Sequence, residues 1–71
     1  MKYNYITDIS YPIRLGQFLK LANIAQDGME AKLLIQEGTI KVNSYNEKQR
    51  GKQLQKGDIV ELEDSTKYML R

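Results

Sequence analysis

The chain reads as an α+β fold, two short helices packed on a small, mainly antiparallel twisted sheet. Three observations carry that reading. Leu15, Phe18, Leu19 and Ala22 recur at helical spacing, and Ala31, Leu34 and Ile35 do so again further on. Ile40 and Val42 alternate with Lys41, and Val60 and Leu62 with Glu61 and Glu63, at the period of a strand. Two helices of this length cannot bury their apolar faces on each other alone, so a sheet has to cover them.

Residues 3–9, Tyr-Asn-Tyr-Ile-Thr-Asp-Ile, are rich in aromatic and β-branched side chains and predict an edge strand or extended arm that Pro12 stops. The first helix follows, with Gln17 and Lys20 facing away from its apolar side. Asn23, tolerant of a left-handed conformation, ends it. Asp27 followed by Glu30 has the spacing of an N-cap and its third-position partner, and Gly38 supplies a left-handed C-terminus. The second helix therefore spans about residues 28 to 37. The run Thr39-Ile40-Lys41-Val42 reads as a strand exposing Lys41, with Asn43-Ser44 as a turn. Lys56-Gly57-Asp58 marks a second turn, Val60 and Leu62 a strand, and residues 68–70 a last short one. The expected core is Leu15, Phe18, Leu19, Leu34, Ile35, Ile40, Val42, Val60 and Leu62. Truncating Phe18 or Leu34 to alanine is expected to cost about 2 to 5 kcal/mol.

With 71 residues the chain holds one domain near the lower limit for a single self-sufficient core. It is 41% hydrophobic and 28% charged, with one proline, the balance of a globular domain rather than a disordered one. There is no cysteine and no histidine. That removes the disulfide-stapled scaffold, thiolate metal sites, the commonest nucleophile and the usual general base at neutral pH. Neither catalysis, a cofactor, a metal nor a small-molecule substrate is expected. No apolar run reaches the roughly 20 residues that span a bilayer, and the first residues lack a signal-peptide stretch, so a cytoplasmic protein with no membrane partner is the expectation.

The formal net charge is only +2, but its distribution is uneven. Residues 41–56 carry Lys41, Lys48, Arg50, Lys52 and Lys56 against Glu47 alone, whereas residues 57–71 carry four acids against Lys67 and Arg71. Cations gathered in one stretch suit a polyanion, with nucleic acid as the first candidate.

The run Arg14-Leu15, the capped helix with Glu30-Ala31-Lys32 and Leu34-Ile35, then Gly38, Ile40, Val42-Asn43 and Gly57-Asp58 resembles the alpha-L RNA-binding motif of ribosomal small-subunit protein S-four. The match covers about residues 13–63, preceded by an arm over 1–12. The chain resembles more closely the small stand-alone YaaA family of bacterial RNA-binding proteins. In that family Leu-Gly-Gln-Phe-Leu-Lys-Leu and Arg-Gly-Lys occur as they stand here at residues 15–21 and 50–52. Against the wider motif, this chain has Gly16 in place of an acid and Asp27 in place of a serine cap. It also has Gly28 and Met29 where arginine is usual, and Ser44 where glycine commonly follows Val-Asn.

The resemblance implies that Arg14, Lys32, Lys41, Arg50 and Lys52 share one RNA-binding face. Lys32 would lie in the first turns of the second helix, where helix-end N–H groups favour an anion. Arginine suits phosphate because its planar fork donates two parallel bonds, and Gly51 between Arg50 and Lys52 would let backbone approach a phosphate. Lys20 joins the candidates, although its plain reading, like that of Lys56, is a surface lysine. Asn43 is both a turn residue and one that alpha-L domains often present beside RNA. The five tyrosines are scattered and form no stacking platform; Tyr45, beside the basic loop, is the one worth testing.

The expected function is thus non-catalytic recognition of structured RNA, ribosomal RNA foremost, by a monomer that reads shape and phosphates more than bases. The rival is a protein-interaction adaptor that docks an acidic partner on the same patch or pairs an edge strand near residues 3–9.

Overall fold

Leu15, Phe18 and Leu19 are fully buried, as their spacing requires, on the inner face of helix α1 (Leu15–Leu21). The computed structural model describes residues 3–71, so the first two residues of the expected arm lie outside the described residues. Asn23, at φ 63, turns the chain out of α1. Helix α2 (Gly28–Gln36) starts where Asp27 Oδ1 accepts from Glu30 N at 2.9 Å. The reciprocal bond falls one residue early: Glu30 Oε1 accepts from Gln26 N at 2.9 Å rather than from the cap itself. Gly38 ends the helix at φ +77, a conformation that a side chain would strain.

The strands are β1 (Asn4–Ile6), β2 (Ile13–Arg14), β3 (Lys41–Val42), β4 (Tyr45–Asn46), β5 (Gln53–Leu54), β6 (Ile59–Glu61) and β7 (Lys67–Leu70). Five of them form one sheet in the order β1-β7-β6-β3-β4, while β2 and β5 pair separately. Every pairing is antiparallel except β1 with β7. The architecture is therefore the expected α+β one, with residues 4–6 as the edge strand. Strand β7 does not close the sheet from outside; it lies between β1 and β6, where it finds partners on both sides. Asn43 (φ 52) and Ser44 (φ 76) make the two-residue turn between β3 and β4, both central residues left-handed as a type I′ hairpin requires.

The core joins α1 and α2 to one face of the sheet. Phe18 meets Tyr68 of β7 edge to face, with ring centres 6.2 Å apart. Two expected core residues are only half-buried. Helix α2 turns Ala31 and Ile35 inward and leaves Leu34 on its flank, and Leu62 falls just past the end of β6. Their places are taken by Leu54 and Leu70, both fully buried, together with Ile13 and Ala25. Lys41, expected to be exposed, is half-buried because β3 is an interior strand, with Asn46 and Glu61 opposite it.

Among the described residues, no polar or charged side chain belongs to the core. Half-buried Tyr11 packs against it, and its hydroxyl has no hydrogen-bond partner among the described residues. Burial, and secondarily the charge of Asp58, holds that phenol above its ordinary pKa, so it is neutral at neutral pH.

Phe18→Ala is expected to cost about 3 to 5 kcal/mol and Leu34→Ala less than half as much, because only the first opens a fully enclosed cavity. Urea unfolding of the two variants checks this. Equal losses would contradict the assigned core.

Candidate nucleic-acid interface

Two segments far apart in sequence run side by side and build a basic cleft. Ile13 pairs with Leu54 and Arg14 with Gln53 in the β2–β5 ribbon. The pairing continues past the ribbon: Leu15 N donates to Lys52 O at 2.8 Å, and Gly16 N to Arg50 O at 3.1 Å. These N–H groups belong to the first turn of α1, which has no carbonyl of its own to offer them. The loop of residues 50–52 thus caps the helix, and Gln17 Oε1 accepts from Arg14 N at 3.1 Å on the same turn.

The cleft that results has a volume of about 340 Å³ and is lined by Arg14, Gly16, Gln17, Lys20, Gly28, Ala31, Arg50 and Gly51. Three cations from two segments stand around a floor of glycine and alanine, and the lining contains no carboxylate. Small floor residues let a ligand approach the backbone, while the cations supply the charge. Gln17 and Lys20 also border a broader groove that continues past Pro12, Ile13 and Leu21.

Of the residues singled out from sequence, Arg14, Lys20, Arg50 and Gly51 come together here. Arg14 stands one residue before α1, as its N-cap, rather than inside it. Lys52 contributes its carbonyl to the cap, and its side chain is exposed outside the lining. Lys32 is exposed on α2, adjacent in sequence to Ala31 of the floor. Lys41 sits in the interior strand described above and is not among the lining residues. Asn43 is occupied by the turn: its Nδ2 donates to Asp58 Oδ1 at 3.2 Å, and its Oδ1 accepts from Ile59 N at 3.0 Å. Gly16, Gln17, Gly28 and Ala31 were not among the sequence candidates. Only Gln17 had a visible signal, sharing the outer face of α1 with Lys20.

The start of α2, where helix-end N–H groups were expected to favour an anion beside Lys32, carries two carboxylates: Asp27 takes up the N–H of Glu30, and Glu30 accepts from Gln26 N just before the helix. Other acids are also tied to local backbone. Glu47 accepts from Gln49 N at 3.1 Å, Asp58 from Gln55 N at 2.8 Å and Asp64 from Thr66 N at 3.0 Å. The Thr66 side chain, then its N–H, hold Asp64 below the ordinary carboxylate pKa. A second, more apolar groove, lined by Ile24, Leu34, Thr39, Ile40, Leu62, Glu63 and Asp64, carries only negative charge.

The α+β fold, with its helix, helix, strand order, is consistent with an alpha-L RNA-binding domain, and comparison with known proteins shows it to be one of the stand-alone YaaA type. The S4 domain model matches residues 6–70, and the chain belongs to the S4-domain family. It is also similar to the probable ribosome maturation protein RlbA of Bacillus subtilis (strain 168). The two are 47% identical over 51 residues, 72% of each chain.

Asn43→Ala is expected to lower stability by about 1 to 2 kcal/mol, since it removes two hydrogen bonds and strains a positive φ. RNA affinity measured well below the melting temperature is expected to stay within about twofold, the effect of a residue outside the cleft. Thermal melts paired with binding titrations check this, and lost affinity at unchanged stability would return Asn43 to the RNA-contacting set.

Proposed function

We propose that this protein is a non-catalytic RNA-binding module that grips structured RNA in the cleft between α1, α2 and the 50–52 loop. Ribosomal RNA, in a maturing ribosomal particle, is the proposed target. The observation that carries this reading is the convergence of Arg14, Lys20 and Arg50 around a floor without carboxylates. Membership of the S4-domain family supports RNA as the polyanion, and the ribosome maturation role in the relative's name supports the ribosomal target.

The chemistry favours phosphate over base. Guanidinium forks on Arg14 and Arg50 match phosphate oxygens, and Lys20 adds a point charge one helical face along. Lys52 flanks the cleft from the loop, and Lys32 from α2. No aromatic side chain lines the cleft, so stacking of unpaired bases has no platform there. Recognition then rests on the spacing of backbone phosphates in an A-form or folded RNA. The protein acts as a monomer, because the cleft is complete within one chain. It does so without chemistry on the RNA, since the chain has neither histidine nor cysteine and the cleft holds no carboxylate. Among the described residues no helix is long and apolar enough to cross a membrane.

Contacts from Arg14, Lys20, Arg50 and Lys52 to about four phosphates give a slope of log affinity against log salt of roughly −3. An Arg14→Glu, Arg50→Glu double variant is expected to bind a structured ribosomal RNA fragment at least about 100-fold more weakly, with a shallower slope. Lys56→Glu, a single charge reversal on the turn before β6, is expected to show far less than half of that loss on the logarithmic scale. Titration of the three proteins at several salt concentrations measures this. Equal binding by all three, or a flat salt response of the wild type, would refute the proposal.

A further inference from the structure

Gly16 is buried although it lies in the first turn of a helix whose neighbouring positions 14 and 17 are exposed. What covers it is Arg50. A methyl group built on Gly16 would stand 2.6 Å from Arg50 Cγ, 3.2 Å from its Cδ and 3.6 Å from its carbonyl oxygen. Carbon atoms do not approach to 2.6 Å, so one of the two residues would have to yield.

The backbone of Arg50 cannot retreat freely, because its carbonyl accepts from Gly16 N at 3.1 Å and the next carbonyl but one accepts from Leu15 N. Nor is Cγ the far end of a flexible side chain. It lies one bond beyond Cβ, so moving it requires another χ1 rotamer, and that swings the whole side chain to a new direction. The aliphatic stem of Arg50 therefore rests on the first turn of α1 only because residue 16 has no side chain.

We infer that Gly16 is the positioning residue for Arg50 in RNA binding. The bare first turn of α1 forms a seat for the Arg50 stem, which holds the guanidinium at the cleft before RNA arrives. The inference rests on the RNA-binding reading of the cleft. An arginine already held in one rotamer loses less freedom when it meets a phosphate, which is how preorganisation raises affinity. The same contact accounts for the burial of Gly16 and for the presence of Arg50 and Gly16 in one lining.

Gly16→Ala tests this with little danger to the fold, since alanine is the better helix former and Arg50 is free to move into solvent. The variant is expected to bind structured RNA about fivefold more weakly, the effect of unseating one side chain. In an Arg50→Ala background, where Cγ is absent, Gly16→Ala is expected to cause no further loss. A second readout needs no RNA: side-chain three-bond couplings of Arg50 by NMR are expected to report one χ1 rotamer in the wild type and a different or averaged one in Gly16→Ala.

Wild-type affinity in Gly16→Ala, losses that simply add in the double variant, or averaged Arg50 couplings in the wild type would each overturn the inference. The two readings fail differently. If Arg50→Ala itself binds like wild type, the cleft reading falls; if Arg50→Ala weakens binding and Gly16→Ala does not, only the seat falls.

Discussion

The antiparallel run of residues 13–16 against residues 50–54 is the constraint from which the functional part of this molecule follows. Two ladder pairs and two cap bonds make one continuous strip, from Ile13 opposite Leu54 to Gly16 N on Arg50 O. Its apolar end buries Ile13 and Leu54 in the core, and its polar end supplies the first turn of α1 with carbonyls that the helix lacks. Ordering the loop costs conformational entropy that exposed, charged side chains cannot offset, so the fully buried Leu54 and the capped N–H groups carry that burden. Arg14 and Arg50 are neighbours as a by-product of this bonding.

The distribution of charge follows from similar local demands. Acids sit where backbone N–H groups need acceptors: Asp27 and Glu30 at the start of α2, Asp58 and Asp64 in the turns flanking β6. Such carboxylates stabilise their turns and are held near them. Main-chain carbonyls do the capping in the strip, and the side chains of Arg14 and Arg50 are left to line the cleft. One small domain can therefore present a basic cleft and an acidic, apolar groove with a net charge of only +2.

Both helices and the Asn43-Ser44 turn were legible in the sequence because each rests on local signals, the helical spacing of apolar residues, caps and left-handed residues. The family resemblance added the likeness to RNA-binding domains, and it singled out Arg14, Lys32, Lys41, Arg50 and Lys52, of which Arg14 and Arg50 line the cleft. Strands β2, β4 and β5 were not legible. Two residues are too few to show a period, and their pairing is decided by partners distant in the chain. Leu54 was missed as a core residue for that reason, and Leu34 was overvalued because a helical pattern does not say which of two adjacent apolar residues turns inward. Gly16 looked like a departure from a motif. Its role needs the position of Arg50, which no local reading supplies. Asn43 shows the converse, since the sequence offered both a turn and an RNA contact, and the Asp58 and Ile59 bonds favour the turn.

The most direct test of the central claim, that the strip of 13–16 against 50–54 forms the RNA-binding face, is an amide chemical-shift titration. ¹⁵N-labelled protein is titrated with a structured ribosomal RNA fragment at low salt. The account predicts the largest changes at Gly16, Gln17, Gly28 and Gly51, with Asp64 and Thr66 at the acidic end nearly unmoved. Large changes confined to the β6–β7 turn or to the β3–β4 hairpin, with the strip unmoved, would contradict it.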